Sequence, residues 1–232
     1  DHTDHDSSGH DSSGHDSSGH DSHGHGSHES NPPSASPADG SYHDHAHHNH
    51  SVGPAGSTYD LRFIDGMVEH HAGALRMSEY VFNIGVPGVG ALANAIWDEQ
   101  AREIKAMRQW RKAWYPDAPL YPVALRANGD PNSMADLVRL SPEAIAAMRM
   151  TAITPTRDNR VLWFLEGMIE HHGGALQMAH EARKNSTNPT ILRLARDIIV
   201  SQRQEIIQLR KMLQSQGFYK PAYFKFDPLF NI

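Results

Sequence analysis

The sequence predicts an all-α fold of two helical hairpins, four long helices related by a pseudo-twofold, and three observations carry that prediction. The segment Phe63-Ile-Asp-Gly-Met67-Val-Glu-His70-His71-Ala-Gly-Ala-Leu-Arg-Met77 recurs, 101 residues on, as Phe164-Leu-Glu-Gly-Met168-Ile-Glu-His171-His172-Gly-Gly-Ala-Leu-Gln-Met178. Each copy precedes a second amphipathic stretch, Val89 to Trp114 and Pro189 to Gln216, where Gln100-x-x-Glu103-Ile104 matches Gln202-x-x-Glu205-Ile206. No alternating pattern of useful length interrupts them, so strands are not expected.

Start and stop signals place each element in turn. Ser57 and Thr58 can cap the first helix, which Gly85 and Pro87 break. The second ends before Pro116. Residues 116–155 form a Pro-rich crossover with room for two short helices, one from Ser133 to Leu140 and a clearer one from Ser141-Pro142 to Met150. Thr156 can cap the third long helix. Asn188 with Pro189 starts the fourth, since proline suits a first helical position, and Gly217 ends it. The domain plan is therefore a tail at 1–57 and a helical body at 58–232. The body divides into repeat one (58–115), the crossover (116–155), repeat two (156–217) and a C-terminal extension (218–232).

At about 100° per residue, the side chains around Met67 include Phe63, Ile64, His71, Ala74, Ser78, Val81 and Phe82, while Asp65, Glu69, Arg76 and Tyr80 fall on the far side. His71 is central on the buried face, and His70 stacks with Met77 at its edge. The second copy repeats this with His172 beside Met168, and His171 with Met178 at the edge. In the second helix Glu103 sits inside the stripe of Leu92, Ile96, Met107, Trp110 and Trp114; in the last, Glu205 sits among Ile198, Leu209 and Met212. A carboxylate inside an apolar stripe is costly unless paired, so Glu103 is expected to meet His71, and Glu205 to meet His172.

Residues 1–57 hold 13 of the 18 histidines, nine of the 27 acids and none of the 21 bases, which leaves the body at +3. That balance excludes a basic nucleic-acid footprint. From Asp6 the tail repeats the pentad Asp-Ser-Ser-Gly-His, a period that suits neither helix nor strand, and it is expected to be disordered. A second cluster follows: His43, His45, His47, His48 and His50. Imidazoles among carboxylates bind borderline divalent ions, Cu(II), Ni(II) or Zn(II). The chain has no Cys, which excludes disulfides and thiolate metal sites, and no apolar run long enough for a membrane span. It begins at Asp1 rather than Met, as would a chain whose export signal has been removed or one trimmed for another reason.

Each half thus offers two Met, two adjacent His and one inward Glu. Thioether with imidazole is a soft set that selects Cu(I), or Ag(I) as its surrogate, over harder ions, and it survives where thiolates would oxidise. Glu103 and Glu205 would orient the ligand histidines. Met107 and Met212 on the facing helices, with Met134, Met148 and Met150 in the crossover, can complete the sites. Methionine at helical spacing also fills cores, and a buried His–Glu pair needs no metal; the duplication of Met-x2-His-His-x5-Met is what favours ligation.

These paired segments, with the Gln-x-x-Glu helices after each, resemble a family of ferritin-like helical proteins catalogued as a domain of unknown function, over roughly residues 58–216. The resemblance implies a ferritin-like four-helix bundle and a periplasmic or secreted location. It implies copper binding for resistance or homeostasis and not turnover, so no catalytic residues are expected. Its ligand candidates are Met67, His70, His71 and Met77, with Met168, His171, His172 and Met178. The partners expected are copper ions and a copper efflux system or metallochaperone. Two other functions compete. A ferritin-like di-metal oxidase needs four inward carboxylates, where this chain supplies only Glu103 and Glu205. The other is a helical interaction module whose tail merely adsorbs zinc.

Overall fold

The computed structural model describes residues 50–232; the pentad repeats and His43, His45, His47 and His48 lie outside the described residues. Four long helices dominate: α1 (Tyr59–Glu79), α2 (Val89–Trp114), α4 (Arg160–Asn185) and α5 (Pro189–Ser215), with a short α3 (Pro142–Arg149) in the crossover. α1 pairs with α2, α4 with α5, and α1 packs on α4 to join the hairpins into a four-helix bundle. α1 and α4 run antiparallel, because Ser186 Oγ donates to Asp60 Oδ1 (2.6 Å) at one end and Tyr80 packs edge-on to Trp163 (5.4 Å) at the other. The core fills with Phe63, Ile64, Ile96, Trp163, Phe164, Ile198 and Leu209, all buried.

The caps differ in detail from the sequence expectation. Thr58 stands at the α1 N-cap, but its hydroxyl donates to the Pro131 carbonyl (2.7 Å), tying the helix start to the crossover. Asn159 stands at the α4 N-cap and its Oδ1 accepts from Thr156 N (2.8 Å), so Thr156 organises the turn before the helix. α3 and α5 are capped as their sequences read, by Ser141 on Ala144 N and Asn188 on Thr190 N. α1 stops at Glu79, ahead of Gly85, and the left-handed residue of that turn is Gly88 (φ +80°).

The crossover corrects one element. Residues 133–140 do not form a helix: a 3-10 turn at Met134–Asp136 leads into β2 (Leu137–Arg139), which pairs antiparallel with β1 (Val123–Leu125). Asp136 explains the change. Its carboxylate accepts from Arg126 Nε (2.9 Å) and Asp130 N (2.6 Å), which closes the loop and leaves the Leu-Val-Arg run extended.

The crossover also buries the face of α1 expected to meet solvent. Asp65 is 5 % exposed; it takes a two-point ion pair from Arg111 (2.6 and 3.0 Å) and a hydrogen bond from Val123 N. Glu69 pairs with Arg149 (2.7 Å). The equivalent acids of the second repeat hold the C-terminal extension: Glu166 pairs with Lys220 (3.1 Å) and accepts from Tyr223 Oη (3.0 Å), and Glu170 pairs with Lys225 (2.8 Å). One pair of positions thus clamps a different covering segment in each half.

Candidate metal centre

The two histidines of each motif point opposite ways. His71 Nε2 lies 3.3 Å from Glu103 Oε1 on α2, within hydrogen-bond reach. His172 Nε2 lies 3.4 Å from Glu205 Oε1 on α5, close enough for an ion-pair contact but misaligned for a hydrogen bond. Burial pushes the neighbouring Glu99 carboxyl up, with Glu205 and Glu103 adding to the effect. His70 and His171 instead face each other across the α1–α4 seam, ring centroids 3.9 Å apart. All four imidazoles are fully buried, so His70 and His171 are seam residues and not an accessible edge.

A roof closes over that seam. His50, placed with the tail by sequence, packs into the body: its ring stands edge-on to His70 at 5.2 Å, and its Nε2 lies 3.3 Å from Met150 Sδ. Glycines make the room. A Cβ on Gly174 would sit 2.8 Å from His50 Nε2 and 3.1 Å from His70 Nε2, so both nitrogens converge over this glycine. A Cβ on its repeat mate Gly73 would fall 1.9 Å from the Arg149 carbonyl oxygen, so α3 can end flush on α1 only because that Cβ is missing. Two turns back along α1, the methyls of Met148 and Met178 close around Gly66.

Met150 takes a left-handed conformation (φ +57°) at the α3 C-cap, where glycine or asparagine is usual. A non-glycine residue there costs about 1–2 kcal/mol, and this strain aims its sulfur at His50. Neither ring nitrogen of His70 has a hydrogen-bond partner among the described residues. Burial holds its pKa well below the usual imidazole range, and the neighbouring His171, His50, His71 and His172 act the same way. The ring is therefore neutral, with a lone pair available to a metal. Below pH 6.5 the unfolded chain protonates this histidine and the folded one does not. Stability should therefore fall with acid, by up to about 1.4 kcal/mol per pH unit from this group. Urea unfolding midpoints at pH 7.5, 6.5 and 5.5 test this; a flat profile excludes a neutral His70.

The other candidates divide. Met67, Met107 and Met168 are fully buried in the apolar core, and Met77 is buried beside them. Met212 packs on Gly88 at the α2 start, away from the seam, and Met134 is 45 % exposed. Neither stands among the side chains that meet at the His70–His171 seam. Among the described residues no three His, Asp or Glu side chains form a metal-holding group by themselves. The soft donors gathered at this seam are His50, His70, His171 and the Met150 sulfur. Sequence reasoning missed the roles of Gly73, Gly174 and the strap 50–57, although Val52 and Pro54, following the polar tail, mark where packing begins.

Residues 60–213 match the family model described as a domain of unknown function (DUF305). Among solved structures, CopM in its Cu(II)-bound form is 30 % identical with a TM-score of 0.50, covering 68 % of this chain and 97 % of that one. CopM in its Cu(I)-bound form is 29 % identical (TM-score 0.49; 68 % and 96 % covered). A DUF305 protein from Streptomyces coelicolor is 24 % identical (TM-score 0.50; 69 % and 95 % covered) and shares the fold. No curated protein matches the chain.

Proposed function

The chain belongs to the DUF305 family, and we propose from that premise that it is a copper-binding protein whose buried centre takes Cu(I). The observation that carries this reading is the convergence of His50, His70, His171 and Met150 on one seam, with the His70 ring neutral and unpartnered. Neutral imidazole with thioether in a buried seam suits a soft monovalent ion, which accepts two or three ligands and needs no carboxylate. The similarity to CopM in its Cu(II)-bound form supports copper as the metal. His43, His45, His47 and His48, among carboxylates, would take Cu(II), and Ag(I) would substitute for Cu(I) in the body. The role is binding for resistance or homeostasis, with no turnover. A cysteine-free soft ligand set fits an oxidising compartment such as the periplasm.

Anaerobic titration of the full chain with Cu(I) and with Zn(II) tests the reading. A tight Cu(I) site that Zn(II) does not occupy supports it; equal binding of both ions would return the function to a zinc-adsorbing module. Met150→Gly sharpens the test. Glycine relieves the left-handed strain while the lost side chain gives up about 1.5–3 kcal/mol of burial, so apo stability should drop by about 1 kcal/mol. Cu(I) affinity should fall at least tenfold, read by competition with a chromophoric chelator.

A further inference from the structure

The strap that carries His50 is held down by a side chain outside the ligand set. Arg62 on α1 is 1 % exposed. Its Nε donates to Thr58 Oγ1 (3.0 Å), one terminal nitrogen donates to the Val52 carbonyl, and the other donates to the Pro54 carbonyl (2.7 Å). A buried guanidinium directed at neutral oxygens is costly, and burial lowers its pKa; the fold accepts that cost to grip the strap by its backbone. Gly53 between the two carbonyls takes φ +92°, a conformation in which a side chain would be strained. Ser51 Oγ adds a second tether by donating to Glu181 Oε1 on α4 (2.8 Å). Under the strap lies a cleft of about 330 Å³ whose lining includes Val52, Arg62, Gly66 and Met148.

His50 is also the last histidine of the His-rich stretch, two residues after His48. We propose that the strap is a latch over the buried centre: His50 is the ligand through which Cu(I) enters and leaves, and Arg62 sets the rate by holding the strap. The proposal rests on the copper reading of that centre. Copper stays Cu(I) throughout, so no electron moves. On release a donor of the incoming chelator joins the ion as Met150 and His70 leave it, and His50 is the last protein ligand to let go. The cleft gives the strap room to shift without unfolding the bundle.

The full chain, loaded anaerobically with Cu(I), is challenged with excess bicinchoninate and the release followed by stopped flow. The slow phase of the wild type that is absent from His70→Leu/His171→Leu belongs to the buried centre. Arg62→Gln should speed that phase at least tenfold with the number of bound Cu(I) ions unchanged, and Arg62→Lys should restore part of the wild-type rate. Ser51→Ala should speed it less, and serves alone if Arg62→Gln does not fold. A slow phase unmoved by these substitutions overturns the latch and leaves the copper reading intact. The lack of any phase specific to the two seam histidines overturns both.

Discussion

The double substitution His70→Leu/His171→Leu is expected to raise the stability of the metal-free protein while removing its stabilisation by Cu(I). The two rings meet at 3.9 Å in a fully buried seam, and His70 leaves both ring nitrogens without a hydrogen-bond partner among the described residues. An unsatisfied buried polar atom costs about 1–3 kcal/mol. Leucine has a comparable volume and nothing to satisfy, so the apo seam should gain about 1–2 kcal/mol even after some mispacking. Ligand binding acts in the opposite direction. A site filled at a hundred times its Kd stabilises the native state by about 2.7 kcal/mol, and loss of two imidazoles should weaken Cu(I) binding at least about a hundredfold. Thermal unfolding with and without one equivalent of Cu(I) reads both effects: a large copper-dependent rise in Tm for the wild type, a higher apo Tm and no rise for the variant. A purely structural role for these histidines gives a lower apo Tm, and that result would sink the metal assignment.

Much of the fold was legible because its signals are local. The repeat, the proline and glycine punctuation and the apolar stripes locate α2 and α5 almost to the residue, and helical phase alone pairs Glu103 with His71 and Glu205 with His172. What phase arithmetic cannot tell is what covers the other face. Asp65 and Glu69 sit where a two-helix picture predicts solvent, yet partners 46 and 80 residues away, Arg111 and Arg149, bury or tether them. The same blindness hid the roof of the centre. His50 reads as one more tail histidine by composition, and only the fold places it over Gly174. Met150 reads as a helix end, and its left-handed backbone, which aims the sulfur, has no signature in a methionine.

The two glycines that admit the roof should separate fold from function. They occupy equivalent positions of the repeat, 101 residues apart, yet what crowds each is of a different kind. A Cβ at Gly73 would lie 1.9 Å from the Arg149 carbonyl oxygen and 2.8 Å from its Cα, so Gly73→Ala must push backbone, shifting the end of α3 and with it Met150. Overpacking against an element that cannot yield costs typically 1–3 kcal/mol and occasionally more, and the upper end is expected here. At Gly174 the crowding atoms are side-chain atoms, His50 Cδ2 at 2.6 Å and His50 Nε2 at 2.8 Å, at the far end of a ring on a short strap. Gly174→Ala can therefore fold by displacing His50, and the helical preference for alanine over glycine returns up to about 1 kcal/mol. Its stability should stay within about 1 kcal/mol of wild type, while Cu(I) binding weakens at least tenfold because His50 no longer converges with His70. Urea unfolding and chelator competition on the two single variants test the contrast. Gly73→Ala should lose stability and Gly174→Ala should lose copper; equal losses of stability in both would mean that His50 only packs the roof and binds nothing.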